Sequence, residues 1–212
     1  MVGKAVFFRW AVVGVIVLSA MTWGYFIISE SHVKMSPLPV FGERNSDSTD
    51  HVISEFSLVN QEGKIITNDN FKDKIYIADF FFTTCEGICP RMSNQMERIA
   101  ERYKNVNDVL LLSHTVKPEE DSISVLKDYA KDHNADPAKW YFVTGPRNEI
   151  NRLARKSYLV GGTNGEAEDD FVHTQFFTLI DTQHRIRGFY DGTDSSEVNK
   201  LMADIDILLR EQ

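Results

Sequence analysis

Phe80-Phe81-Phe82-Thr83-Thr84-Cys85-Glu86-Gly87-Ile88-Cys89-Pro90-Arg91-Met92 decides how this chain reads, because it holds the only two cysteines in 212 residues, four positions apart. The residues leading in, Ile75, Tyr76, Ile77, Ala78, Phe80, Phe81 and Phe82, form an apolar, β-prone run that predicts a buried strand. Leading out, Met92, Met96, Ile99 and Tyr103 recur at spacings of four, three and four, the mark of a helix with one apolar face. Pro90 suits the first helical position, where its missing N–H costs nothing. Both thiols therefore fall where a strand ends and a helix begins, and the partial positive charge of a helix N-terminus favours thiolate over thiol. Such a turn is either a redox dithiol or a soft-metal site. Two plainer readings fit less well. Cysteine often just fills core, but Gly87 and Pro90 make this a breaker-rich turn. A purely structural disulfide would close a very short loop and add little chain-entropy stabilisation.

Working outward toward the N-terminus, Ala11 to Ile28 contains no charged residue, with Lys4 and Arg9 before it and Glu30 after it. The length is near the lower limit for a spanning helix. A cleavable signal peptide is the rival, since Ser19-Ala20-Met21 is faintly cleavage-like, but signal cores are shorter than this run. The reading is a short cytoplasmic N-terminus (residues 1–10), a retained transmembrane anchor (11–28), a flexible stalk rich in Pro, Ser and Asp (29–50) and one folded domain (51–212). Lys4 and Arg9 place the N-terminus inside, so the domain is expected on the extracytoplasmic, periplasmic side of the cytoplasmic membrane. There a nearby cysteine pair oxidises unless a reductant or a metal holds it. Net charge is −8 with no dense Lys/Arg block, which excludes nucleic-acid binding as a working hypothesis.

Within the domain, Ile53–Val59 and Lys64–Thr67 read as strands around a Gln61-Glu62-Gly63 turn. Val109–Ser113 and Trp140–Thr144 are further strands. Between them Pro118, Glu119, Glu120 and Asp121 are expected to open a helix whose inner face is Val125, Leu126 and Tyr129. Ile150, Leu153, Ala154 and Tyr158 predict a third helix, and Gly161–Asp170 a solvated acidic loop. Phe176–Ile180 and Arg185–Tyr190 form a closing hairpin, and Val198, Leu201, Ile205 and Leu208 face inward from a last helix. The order β-β-β-α-β-α-β-α-β-β-α, with a dithiol after the central strand, predicts an α/β, thioredoxin-like fold with a mixed central sheet flanked by helices.

Thr84-Cys85-Glu86-Gly87-Ile88-Cys89-Pro90 resembles the Cys-x3-Cys-Pro motif of the Sco/SenC family of membrane-anchored copper proteins. That family carries it on a thioredoxin-like domain with a distant histidine just before a late strand. Val172-His173-Thr174 is similar to its Asp-His-Ser/Thr segment, and Val116-Lys117-Pro118-Glu119-Glu120-Asp121 to its Val-Asp-Pro-Glu-x-Asp segment. Lys117 and Val172 stand where the family usually has Asp, and neither change removes a ligand. The resemblance implies copper, Cu(I) or Cu(II), bound by Cys85, Cys89 and His173. It also implies delivery to a copper-accepting subunit of cytochrome c oxidase or another cuproprotein, with a thiol reductant as second partner. Ligand chemistry agrees, since soft Cu(I) favours two thiolates plus an imidazole. His114 ends a strand near the central one and reads as a core or surface residue within possible reach of the site. His51, His133 and His184 read as solvated. The competing class is an extracytoplasmic thiol–disulfide oxidoreductase with Cys85 attacking and Cys89 resolving. A peroxiredoxin-type peroxidase comes third, lacking that family's threonine-containing run before the cysteine.

Overall fold

The computed structural model describes residues 19, 21–23, 37–44, 49–161 and 174–211. The chain divides into two units, Met1–Pro37 and Leu38–Gln212. Most of the predicted anchor, the whole 1–10 segment, His173 and nearly all of the acidic loop lie outside the described residues. Ser19 and Met21–Trp23 are helical, and among the described residues no helix is long and apolar enough to cross a membrane.

The second unit follows the expected order of strands and helices. Its elements are β1 (Ser57–Asn60), β2 (Ile65–Thr67), β3 (Ile75–Phe81), α1 (Cys89–Tyr103), β4 (Val109–Thr115), α2 (Ile123–Asp132), β5 (Trp140–Thr144), α3 (Arg147–Arg152), β6 (Phe176–Ile180), β7 (Ile186–Asp191) and α4 (Ser195–Leu208). One mixed sheet runs β2-β1-β5-β4-β3-β6-β7. Its centre, β3, β4 and β5, is parallel, and the hairpins at both sides join antiparallel.

All seven residues of β3 are buried, which is why that stretch reads as an unbroken apolar run rather than an alternating one. The period-two alternation instead divides two cores. Ile75, Ile77 and Phe81 pack with Met92, Met96 and Ile99 of α1 and with Val198, Leu201 and Ile205 of α4. Tyr76, Ala78 and Phe80 face the other way, against Phe71, Ile150, Leu153 and Tyr158. The predicted inner faces of α1 and α4 are buried as expected.

Some boundaries differ from the sequence reading. Of the predicted Ile53–Val59 strand only the part from Ser57 on joins a ladder, which runs one residue further to Asn60, and the Ile53 amide instead bonds the His184 carbonyl at 2.8 Å. The second helix begins after the acidic residues, with Ser122 as its N-cap; Leu126 and Ala130 face inward while Val125 is exposed. The third helix ends in a π-helical turn, Leu153–Ser157, which keeps Leu153 and Ala154 buried. Leu38 and Phe41, inside the predicted 29–50 stalk, belong to the folded unit, where the Phe41 amide bonds the Ile186 carbonyl at 2.9 Å.

Candidate metal centre

The dithiol sits where β3 hands over to α1. After Phe81 the chain turns, the Cys85 amide bonding the Phe82 carbonyl at 3.3 Å, and α1 starts at Cys89 with Pro90 in its first turn. Both cysteines are free thiols; Cys89 is buried and Cys85 half-buried. No side chain caps the start of α1, so its first amides are open to whatever the loop presents. The Cys85 sulfur takes that place. Burial acts to raise its pKa, but hydrogen bonds from the Cys89 thiol and from the amides of Cys89, Gly87 and Ile88 prevail and hold it below the ordinary thiol value. Cys89 goes the other way, pushed up to about 12 by burial, by its donation to Cys85 and by the nearby charges of Cys85 and Asp79. Of the two, Cys85 is thus the thiol that ionises first, while Cys89 behind it holds its proton more tightly.

The pair opens into a cavity of about 550 Å³, its walls formed by Phe80, Phe82, Ile88, Val116 and Thr174 besides the cysteine loop itself. Thr174 is the residue after His173, so β6 brings the chain to this wall one peptide away from the predicted imidazole. Among the described residues no group of three or more His, Cys, Asp or Glu side chains gathers as a metal cluster. The two thiols are a donor pair that fits a soft, low-coordinate metal.

His114 does not join them. It pairs with Phe80 across β3 and β4 and stacks on that ring at 4.7 Å, on the sheet face away from Cys89. It is fully buried, its Nδ1 3.2 Å from the Asp79 carbonyl and its Nε2 without a partner, and burial holds its pKa down to about 4. The other three histidines are less solvated than their sequence contexts suggested. His51 bonds the Ser157 carbonyl at 2.7 Å, His133 pairs with Glu97 against the Tyr129 ring, and His184 is half-buried in its hairpin turn.

The sequence reading gave no place at the site to two carboxylates that lie near the dithiol. Asp79, on β3, is fully buried, and burial raises its pKa to about 7 against the opposing effect of a Ser113 hydrogen bond. It was visible as the single charge inside the run Ile75–Phe82. Asp121, expected to open a helix, is instead buried under the cysteine loop, where it accepts hydrogen bonds from Thr83 and Thr115.

A family model described as SCO1/SenC matches residues 44–210. The chain belongs to the SCO1/SenC family. The SCO1 protein homolog of Bacillus subtilis is 30% identical over 166 residues, spanning 77% of this chain and 86% of that protein. The solved structure of BsSco, a member of the Sco family of cytochrome c oxidase assembly proteins in which a disulfide switch was identified, has a TM-score of 0.63. It is 30% identical and covers 74% of this chain and 92% of its own. Arabidopsis thaliana ScoI with copper bound has a TM-score of 0.61 at 27% identity, covering 76% of this chain and 99% of its own. The thioredoxin-like α/β fold with a mixed sheet is the fold these proteins share.

Proposed function

We propose that this SCO1/SenC chain is a membrane-anchored copper-binding assembly factor that assists formation of the copper centre of cytochrome c oxidase. Copper is its cargo. Cys85 and Cys89 supply two thiolates and His173 an imidazole, a set suited to Cu(I) and also able to accept Cu(II). The observation that carries this reading is the pair of free thiols at the start of α1, facing a cavity whose wall runs to Thr174 beside His173. His173 itself lies outside the described residues; its part rests on the sequence and on β6 pairing directly with β3, the strand that leads to the dithiol. The copper held by Arabidopsis ScoI and the cytochrome c oxidase assembly role of the BsSco family support it.

The thiols divide the work. Cys85, with its lowered pKa, is the sulfur that meets an incoming ion or a partner thiol first, and Cys89 releases its proton only as it becomes a ligand. Handing copper to an acceptor subunit then needs thiolate exchange with a docked partner and no catalytic base. Residues 11–28 anchor the chain, Lys4 and Arg9 hold its N-terminus inside, and the domain works on the extracytoplasmic side, where a thiol reductant keeps the cysteines competent.

Copper analysis of the reduced, anaerobic full chain tests this. One copper per chain is expected, and His173→Ala should weaken binding by well over the roughly 10- to 100-fold typical of losing an outer partner. His114→Ala should leave affinity unchanged. Wild-type affinity in His173→Ala sinks the ligand assignment. The split acidity of the two thiols also suits a thiol–disulfide oxidoreductase, with Cys85 attacking and Cys89 resolving. A wild type that retains no copper on gel filtration, yet exchanges disulfides, makes that second reading the function.

A further inference from the structure

Cys89 is held by α1, but nothing regular holds Cys85. Its position depends on the loop Phe82–Ile88, which Glu120 meets at the Thr84 hydroxyl and Lys117 at the Phe82 ring, and whose buried anchor is Asp121. Asp121 is 0% exposed. Its Oδ1 accepts a hydrogen bond from the Thr83 hydroxyl at 2.5 Å. Its Oδ2 accepts one from the Thr83 amide at 3.2 Å and another from the Thr115 hydroxyl. Among the described residues no basic side chain pairs with it, so three short-range donors satisfy a buried carboxylate. Around it the Val116 amide bonds the Phe81 carbonyl at 2.8 Å, and the Lys117 amide bonds the Thr115 hydroxyl at 3.0 Å. The turn that delivers Asp121 closes on itself, the Glu120 and Asp121 amides both bonding the Lys117 carbonyl at 2.9 Å. The carboxylate thus ties together the exit of β3, the exit of β4 and the entry to α2, two residues before Cys85.

We propose that Asp121 is a positioning residue for the dithiol: by fixing Thr83 through both its amide and its hydroxyl, it sets where the Cys85 sulfur stands relative to Cys89. This rests on reading the two cysteines as a working dithiol, and it adds the residue that tunes them. Two thiols held close react with each other as if at high local concentration, and slack in one arm lowers that concentration. Asn in place of Asp keeps the shape but removes the charge and turns one accepting oxygen into an NH2. Either the Thr83 amide then loses its acceptor or the Thr83 hydroxyl must turn from donor to acceptor, and both replace charge-assisted hydrogen bonds with weaker neutral ones. The loop then has room to move while α1 and the sheet stay packed.

The test reads the thiols without copper. In a glutathione buffer, Cys85 and Cys89 give two electrons and two protons to oxidised glutathione, forming one intramolecular disulfide and two molecules of reduced glutathione. The equilibrium constant for that exchange, measured on the full chain by alkylation and mass spectrometry, should fall about tenfold in Asp121→Asn. Thr83→Val, which removes one hydroxyl and no charge, should shift it in the same direction by less and guards against a failure of the first variant to fold. Ser122→Ala, one residue along but bonded only within its own helix start, should not shift it. A constant that is unchanged or raised in both Asp121→Asn and Thr83→Val, whatever happens to their melting temperatures, overturns the proposal. A wild type that binds no copper would sink the copper reading and leave this result standing, so the two failures are told apart.

Discussion

Asp79 is the single charge in the run Ile75–Phe82, and the sheet leaves it no access to water. Burial raises its pKa from 3.8 to about 7, and one of its oxygens has no hydrogen-bond partner. The folded chain therefore binds a proton at Asp79 that the unfolded chain has already released anywhere between those two values. The contribution of this group to stability is full below about pH 3.8, falls as pH rises toward 7 and is lost above it. Asp79→Asn removes that dependence. Urea midpoints should agree best between wild type and variant near pH 4 and diverge by pH 8, the variant becoming the more stable by at most roughly 4 kcal/mol. Parallel curves across that range would mean the carboxyl finds solvent or a cation when ionised. Asp79 could be read from the sequence as a lone charge, but its consequence could not, since that depends on how deeply both faces of β3 are covered. Asp121 was harder: its partner Thr83 is 38 residues away, and local helix-start chemistry gave its acidity a sufficient meaning.

That misassignment belongs to the scale of elements. Pro118, Glu119, Glu120 and Asp121 carry the signs of a helix N-terminus, yet α2 begins at Ile123 and the Ser122 hydroxyl accepts from the Val125 amide as its cap. Proline and acids favour both a helix start and a tight turn, and only the tertiary demand of Thr83 and Thr115 for an acceptor separates the two. Ser122→Ala should therefore cost about 1 kcal/mol of stability by equilibrium denaturation, as loss of an N-cap does. A cost near zero would mean that the 3.4 Å cap bond is already frayed in solution. Elements with long periodic signals were legible: α1 and α4 bury the residues their spacing picked out, and β3, β5 and β6 fall where apolar runs placed them. The π-helical turn Leu153–Ser157 left no mark in the pattern, because one extra residue in a turn still leaves Leu153, Ala154 and Tyr158 facing inward. Of the candidate site, both cysteines were legible from spacing and breakers alone. The setting of His51, His133 and His184 was not, since each is covered by residues distant in sequence: Ser157, Glu97 and Tyr76.

At the scale of the whole folded unit, the dithiol and the point of chain entry occupy opposite ends of the sheet. Cys85 follows the exit of β3, whereas Tyr76 near its entry pairs with Ile180, and Ile180 with Ile186. The incoming segment docks there, Phe41 bridging to Ile186 and stacking edge-on against Phe189. β3 is seven residues long, which puts roughly 20 Å between the two ends. Arg187, 5% exposed, fixes the entry: it donates to the Leu38 carbonyl at 2.7 Å, to the Pro39 carbonyl at 3.1 Å and to Asp181 at 2.9 Å. The chain thus joins the sheet at the end opposite the cysteine loop. The two ends should then be separable. Arg187→Ala leaves Asp181 with Arg185 as its remaining cation, so the domain should stay folded. Leu38, Val40 and Phe41 should exchange their amide hydrogens faster and the segment 38–41 be cut sooner by protease, while the alkylation rate of Cys85 stays at its wild-type value. Unchanged protection of 38–41 would show that Phe41 and the β-bridge hold the segment without Arg187. A changed Cys85 rate would show that strain at the entry reaches the dithiol through β3, and the separation of chain entry from dithiol would be wrong.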